Sequence, residues 1–318
     1  MRMVRRILFL LLALMLASPL MADSQTVDRY ASLTEKAGEA DRLTCYFIDL
    51  DVPKDSKDKS GDSTLVISPD GKVMLIDCGH PDAGKDVVKL LQALGIKKID
   101  VFVNSHPHID HLGGFPEIAD LFDIGVVYRT RLEYGSTYAK AFDAAIKKHN
   151  IPVRYLADGD SFEFGEKVHV DIYGPPQGEF TYPKGYPANA TQFINDSSLA
   201  MKLTYGESTA LFSGDLYRGG ERDVLAVHEQ DLKSDLAKAN HHGGDTSNQV
   251  RWIKAVRPQV VVAMNDVMSS MSVYNNYKKY GATFYHTLYN GLVKVRMDDA
   301  HHLVVETQYD SWVEKGGQ

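Results

Sequence analysis

The chain has 318 residues, 44% of them hydrophobic and 10% aromatic, with 35 basic and 42 acidic side chains and a formal net charge of −7. That composition excludes a disordered or collagen-like protein and is ample for one large core or two modest ones. The acidic balance argues against a general polyanion-binding surface, because nucleic-acid binders carry a basic stripe, although one local basic groove stays open.

The first 22 residues stand apart. Arg2, Arg5 and Arg6 precede an apolar run from Ile7 to Leu16, followed by Ala17-Ser18-Pro19-Leu20-Met21-Ala22 and polar Asp23. A charged start, a short apolar centre and small residues at a cut point make a secretory signal peptide over 1–22. A membrane anchor needs about 20 apolar residues, and this run is shorter, with a proline at its end. The expectation is an exported protein, periplasmic or extracellular, with no membrane segment after cleavage. Removing the three leader arginines leaves 32 basic against 42 acidic residues, a mature net charge of −10. Residues 23–42 read as a polar lead-in, and 43–318 as the main domain.

Leu43 to Leu50 reads as a strand, and a charged loop, Lys54-Asp55-Ser56-Lys57-Asp58-Lys59-Ser60, interrupts the pattern. Gly61-Asp62-Ser63 then turns into a strand through Ile67. Asp70-Gly71 signals a hairpin, and the run Val73 to Ile76 ends in Asp77-Cys78-Gly79-His80. An aspartate at a strand end beside a glycine turn suits the holding of a ligand loop by hydrogen bonds. His80 shares that turn. Cys45 and Cys78 are the only cysteines; in an exported protein they are a candidate disulfide if their strands are neighbours.

Gly84 to Leu94 carries Val87, Val88, Leu90, Leu91 and Leu94 on helical spacing, with Gly95 as its stop. Next, Ile99, Val101 and Val103 form a β-branched run that opens into Asn104-Ser105-His106-Pro107-His108-Ile109-Asp110-His111-Leu112-Gly113-Gly114. Three imidazoles and a carboxylate within six residues at a strand end make a metal-ligand loop, because these donors suit zinc and similar divalent cations. His106 and His108 can share one ion, Asp110 and His111 a second.

Pro116 to Phe122 fits a helix, Ile124 to Tyr128 a strand, and Ser136 to His149 a helix with Tyr138, Phe142, Ala145 and Ile146 on one face. Strand-like runs recur at Val153 to Leu156, Ser161 to Phe164 and Val168 to Tyr173. The stretch Gly174 to Asn195 is rich in Pro, Gly and aromatics, and Phe180, Tyr182 and Tyr186 make it a candidate lid over a substrate; packing on its own domain is the alternative. Ser198 to Tyr205 and Ser208 to Phe212 form a hairpin that ends in Ser213-Gly214-Asp215. Leu236 to Asn240 leads into His241-His242-Gly243-Gly244. Helix Val250 to Val256, strand Gln259 to Ala263, helix Val273 to Tyr280, strand Phe284 to Thr287 and the strands Leu292 to Met297 and His302 to Thr307 complete the chain. Such alternation, with hairpins, fits two sheets with helices packed outside.

The pattern His106-x-His108-x-Asp110-His111 resembles the signature of the metallo-β-lactamase superfamily, and Ser105 to Gly114 resembles the hydrolase domain of ComEC-type competence proteins and phosphorylcholine-esterase-like secreted hydrolases. The resemblance covers roughly residues 43 to 307. It implies an α/β fold, the four-layer αββα sandwich, and two divalent metal ions. The implied ligands are His106, His108, Asp110, His111, Asp215 as the bridge and His241 as the last imidazole, although which of His241 and His242 faces inward stays open. Asp77, His242 and His80 are candidates for holding the ligands in place, and Asn195 for a polar contact with substrate. Zinc is the default metal, with manganese or iron as alternatives.

The lysine-rich insertion displaces the Gly61-Asp62-Ser63 turn from the family's usual place, which alters one rim of the site. The β-lactamase and glyoxalase branches add a histidine in a Thr-Pro-Gly-His type turn. Between His111 and Asp215 this chain has only His149, at a predicted helix end, and His169, in a predicted strand. The resemblance therefore implies hydrolysis of a phosphodiester or related phosphoester, in a small molecule or a polymer, by metal-activated water, with Asp110, Asp215 and Asn195 at the reacting centre. The alternatives are hydrolysis of carboxylic esters, lactones or β-lactams at the same metals, and a non-catalytic exported binding module. The oligomeric state is left open.

Overall fold

The structure is a computed structural model that describes residues 29–35, 40–178, 187, 190–268 and 270–309. The leader and the three aromatics of the candidate lid, Phe180, Tyr182 and Tyr186, lie outside the described residues.

In chain order the strands are β1 (Leu43–Phe47), β2 (Thr64–Ile67), β3 (Val73–Ile76), β4 (Lys98–Ile99), β5 (Val101–Asn104), β6 (Asp123–Ile124), β7 (Val127–Arg129), β8 (Val153–Tyr155) and β9 (Ser161–Phe164). They continue as β10 (Val168–Gly174), β11 (Ala200–Tyr205), β12 (Ser208–Phe212), β13 (Leu236–Lys238), β14 (Val260–Ala263), β15 (Thr283–His286), β16 (Val293–Met297) and β17 (Leu303–Thr307). One sheet runs β17-β16-β1-β2-β3-β5-β7-β8, the other β15-β14-β13-β12-β11-β10-β9, and β4 pairs with β6 in a short ribbon.

Side-chain alternation along each strand assigns the layers. Leu43, Cys45 and Phe47 of β1 face the gap between the sheets, where they join Met201, Leu203 and Leu236. Tyr46 and Ile48 face the opposite way, into a core shared with Val87, Leu91, Phe115 and Phe142 of the outer helices Gly84–Ala93, Phe115–Leu121 and Thr137–Lys148. In the second sheet, Val260 and Val262 point inward while Ala237 and Val261 meet Val224, Trp252 and Tyr277 of the helices on the far side. The result is the expected αββα sandwich.

Three sequence expectations change. Cys45 lies in the core between the sheets and Cys78 in the core under the outer helices, so the first sheet separates them and both are free thiols. The run from Ile124 to Tyr128 is two strands, because the chain bends at Gly125, where a Cβ would lie 2.5 Å from the carbonyl oxygen of Asp100. Tyr138 is exposed, and Ala139 takes its place on the buried face of the helix.

Both sheets present a run of parallel strands, β3-β5-β7-β8 in one and β12-β13-β14-β15 in the other. Parallel strands deliver their carboxyl ends to one edge, the place where open α/β sheets carry their ligands. Asp77 follows β3, His106 follows β5, Asp215 follows β12 and His242 follows β13. The two edges meet at these residues.

Candidate metal centre

The loop after β5 is held by Asp77, whose backbone takes a left-handed conformation with φ of 57°. Its carboxylate accepts from the Ser105 backbone at 2.8 Å, the Ser105 hydroxyl at 2.6 Å and the Asn104 amide at 3.3 Å. His111 Nδ1 donates to the same carboxylate at 2.8 Å. The turn at Gly61 closes the other side. There the backbone has φ of 84° and lies so near the Asp110 carbonyl that a Cβ would sit 1.7 Å from its oxygen.

These contacts fix which nitrogens point inward. The Ser105 hydroxyl gives its proton to Asp77 and so accepts from His106 Nδ1, 3.0 Å away. His106 Nε2 is left with a bare lone pair, and it faces His108 Nδ1 at 3.0 Å. On the other sheet, His242 Nδ1 lies 3.1 Å from the Met264 carbonyl, which can only accept, and 2.9 Å from Asp62 Oδ1. His242 Nδ1 therefore carries a proton, and its Nε2 points at Asp110 Oδ2, 3.1 Å away, and Asp215 Oδ2, 3.2 Å away. His111 Nε2 meets that same oxygen of Asp215 at 3.2 Å.

Burial alone would suppress charge on these imidazoles. Instead His111 is pushed well above the usual histidine range, because Asp215, Asp77 and Asp110 overcome the burial, and His242 is raised for the same reason by Asp215 and Asp62. The carboxylates thus call for positive charge at the point where the nitrogens converge. A divalent cation meets that demand, and the donor set of imidazole and carboxylate fits one. His111 Nε2 supports the fit: it is fully buried, and its 3.2 Å contact with Asp215 Oδ2 lacks the alignment of a hydrogen bond.

The groups of Asp62, His111, Asp215 and His242 lie within 4.8 Å of one another. Asp62 stands behind His242, on the Nδ1 side, and pairs with the Lys238 ammonium. It is placed to orient the imidazole, as carboxylates behind metal-bound histidines do. Lys238 also donates to the Gly214 carbonyl at 2.7 Å and to Asp215 Oδ1 at 3.1 Å.

Of the residues singled out in the sequence, His106, His108, Asp110, His111 and Asp215 converge here, with Asp77 behind His111. His241 does not. Both histidines of the pair have positive φ, 45° and 54°, and the tight turn sends them apart. His241 Nδ1 meets the Thr246 hydroxyl at 2.6 Å and its Nε2 lies 3.4 Å from the Tyr217 hydroxyl, while His242 supplies the inward imidazole. The turn is anchored by the buried Glu221, which accepts from the Asn240 amide and the backbones of Asn248 and Gln249. Asn195 is buried near His108 and Tyr217, and its Oδ1 has no hydrogen-bond partner among the described residues. His80 stays outside the cluster: it accepts from the Asp82 backbone at 3.2 Å, capping a short helical turn. Sequence reasoning missed Asp62 and Lys238 as parts of the centre. Asp62 stands in the Gly61-Asp62-Ser63 turn and Lys238 three residues before the histidine pair, but spacing alone does not reveal that they meet.

The fold and the converging donors define a class, and the comparisons agree. The family model of the Metallo-beta-lactamase superfamily matches residues 57–182, so the chain carries a domain of that superfamily over those residues. Among curated relatives it is similar to the Competence protein ComA of Neisseria gonorrhoeae, with 25% identity over 63% of this chain and 25% of that one. It is also similar to ComE operon protein 3 of Bacillus subtilis strain 168, with 26% identity over 64% of this chain and 26% of the relative. The chain thus spans about a quarter of the length of these relatives. Among solved structures, the CmlA beta-hydroxylase E377D mutant aligns over 80% of this chain and 54% of its own, at 15% identity and a TM-score of 0.51. That likeness shows the fold.

Proposed function

We propose that this chain is an exported hydrolase with two divalent metal ions that cleaves phosphodiesters or related phosphoesters. The observation that carries the reading is the convergence of possible ligand atoms: His106 Nε2 faces His108 Nδ1, and His242 Nε2 and His111 Nε2 face carboxylate oxygens of Asp110 and Asp215. His106, His108 and Asp215 would hold one ion, and Asp110, His111, His242 and Asp215 the other. Bound cations would activate water as the nucleophile and neutralise anionic oxygens of the substrate. The protein's own residues keep the imidazoles in the ligating tautomer: Asp77 for His111, Ser105 for His106, Asp62 and the Met264 carbonyl for His242.

The preference for a phosphoester rests on how few protein ligands the first position has. His149 and His169 are engaged by Asp120 at 2.6 Å and Glu163 at 2.7 Å, respectively. With only His106, His108 and Asp215, that position keeps room for oxygens of an anionic substrate. Zinc is the proposed metal, with manganese or iron as alternatives. The leader over 1–22 supports export, and among the described residues no helix is long and apolar enough to cross a membrane.

The test is metal content by mass spectrometry of the mature protein together with turnover of bis-p-nitrophenyl phosphate, for wild type and Asp215→Ala. Two ions per chain with turnover, both reduced in the variant, are expected. Bound metal that hydrolyses esters or lactams but no phosphodiester would transfer the reading to carboxylic substrates. Absence of bound metal after reconstitution would overturn it.

A further inference from the structure

A cavity lies beside the proposed centre. It has a volume of about 680 Å³ and is lined by Arg129, Arg131, Glu133, Tyr134, Asp143 and Tyr155, among others. The size is that of a small-molecule site. Its position follows from the sheet: Asn104 of β5 pairs in register with Arg129 of β7, and Arg129 with Tyr155 of β8. The segment bearing His106 and the segment bearing Arg131 therefore leave the same edge side by side, about one strand spacing apart. Tyr134 closes the gap, with its ring edge-on to His108 at 6.0 Å between centroids.

The charges in this cavity are unequally committed. Arg129 is buried, bonded to Asp143 at 2.5 Å and seated over the Phe142 ring. Arg131 is exposed, and its guanidinium lies over the Tyr155 ring, 5.3 Å from the centroid. No carboxylate lies within 4.0 Å of it among the described residues. A guanidinium resting on an aromatic face keeps its edge of N–H donors free, the geometry that receives a carboxylate or phosphate in two parallel hydrogen bonds. Tyr155 fixes that plane in advance, so less freedom is lost when an anion arrives.

We propose that Arg131, stacked on Tyr155, is a subsite for a second anionic group of the substrate, a phosphate or carboxylate separated from the scissile phosphoester by a short spacer. The inference rests on the phosphoester reading and narrows it: the substrate carries two anionic centres, one at the metals and one in the cavity beside them.

The test uses three matched esters, ethyl, 2-carboxyethyl and 2-phosphonoethyl p-nitrophenyl phosphate, with the metal-loaded protein. Wild type should hydrolyse one or both charged esters with kcat/KM at least tenfold above the ethyl ester, and the better of the two identifies the anion. Arg131→Gln should erase that preference while leaving the ethyl ester unchanged. Tyr155→Phe, which keeps the stacking face, should retain it, and Tyr155→Ala should lower it. Equal rates for all three esters with wild type, or a preference that survives Arg131→Gln, would overturn the subsite. If none of the esters is hydrolysed, the phosphoester reading fails separately. The esters are then stable ligands, and titration calorimetry decides the subsite: it stands if a charged ester binds wild type at least fivefold more tightly than the ethyl ester and Arg131→Gln removes the difference, and it falls otherwise.

Discussion

Lys238 and Asp215 meet through the ammonium and Oδ1, 3.1 Å apart, and this contact decides which carboxylate oxygen faces the imidazoles. With Oδ1 occupied, Oδ2 alone reaches His111 and His242. One carboxylate oxygen of Asp215 thus faces the imidazoles, and the other is held by a buried lysine. Burial would normally strip the charge from Lys238, and Asp62 and Asp215 hold it in place.

Replacing Lys238 by Met would leave Asp62 and Asp215 buried without their cation. Removing one partner of a buried ion pair costs about 3–5 kcal/mol. Lys238→Met should therefore lower the unfolding free energy of the metal-free protein by that order in a urea titration. A change below about 1 kcal/mol would show that the two carboxylates find other partners.

Asp77→Asn tests the support behind His111. Asparagine tolerates the left-handed backbone found at this position, so the fold should survive, as circular dichroism would show. The neutral amide makes His111 a poorer ligand, and loss of such support typically weakens metal binding by about 10–100-fold. Competition with a chromophoric chelator measures it.

His241→Ala and His242→Ala separate the two neighbouring imidazoles. Metal analysis after equilibration with limiting free metal should find His242→Ala depleted by about one ion per chain, and His241→Ala close to wild type. Equal depletion of both would show that His241 turns inward when metal binds.

Glu221 predicts a pH effect. Burial raises its pKa from the ordinary 4.5 to about 7 despite three hydrogen bonds from Gln249, Asn240 and Asn248. Between those values the folded protein holds a proton that the unfolded chain has released, so this group's contribution to stability falls as pH rises from about 4.5 to 7. The fall is on the order of 3 kcal/mol. Glu221→Gln should flatten that part of the profile in urea titrations at pH 5 and pH 7.5. It should also lower stability at pH 5, because the new amide cannot accept from the Gln249 backbone.

How much of this was legible in the sequence depends on how far apart the cooperating residues lie. His106 to His111 could be read because their spacing within one loop already states the chemistry, and Asp77 because a strand end beside a glycine turn limits what an aspartate can do. The strand at 124–128 was misplaced because an approach between Gly125 and the Asp100 backbone leaves no mark in local hydrophobicity. The choice between His241 and His242 was open because two adjacent left-handed residues send their side chains in directions that the residue types do not reveal. Asp62 and Lys238 were invisible as partners for a simpler reason: one belongs to each sheet, and their meeting exists only once the sheets have packed.

Asp62 and His242 are 180 positions apart in the chain, and Asp110 and His242 are 132 apart. Contacts at such range come late in folding, because the loops they close must first be brought together at an entropic cost. A cation at this junction would act as a clasp between the loop after β5 and the turn after β13. Its binding free energy would add to the stability of the whole domain, by an amount set by free concentration relative to Kd. A chain cut short of residue 242 would keep the His106 and His108 pair but lack this closure. Metal supply would then govern how long the folded protein survives proteolysis as well as whether it reacts.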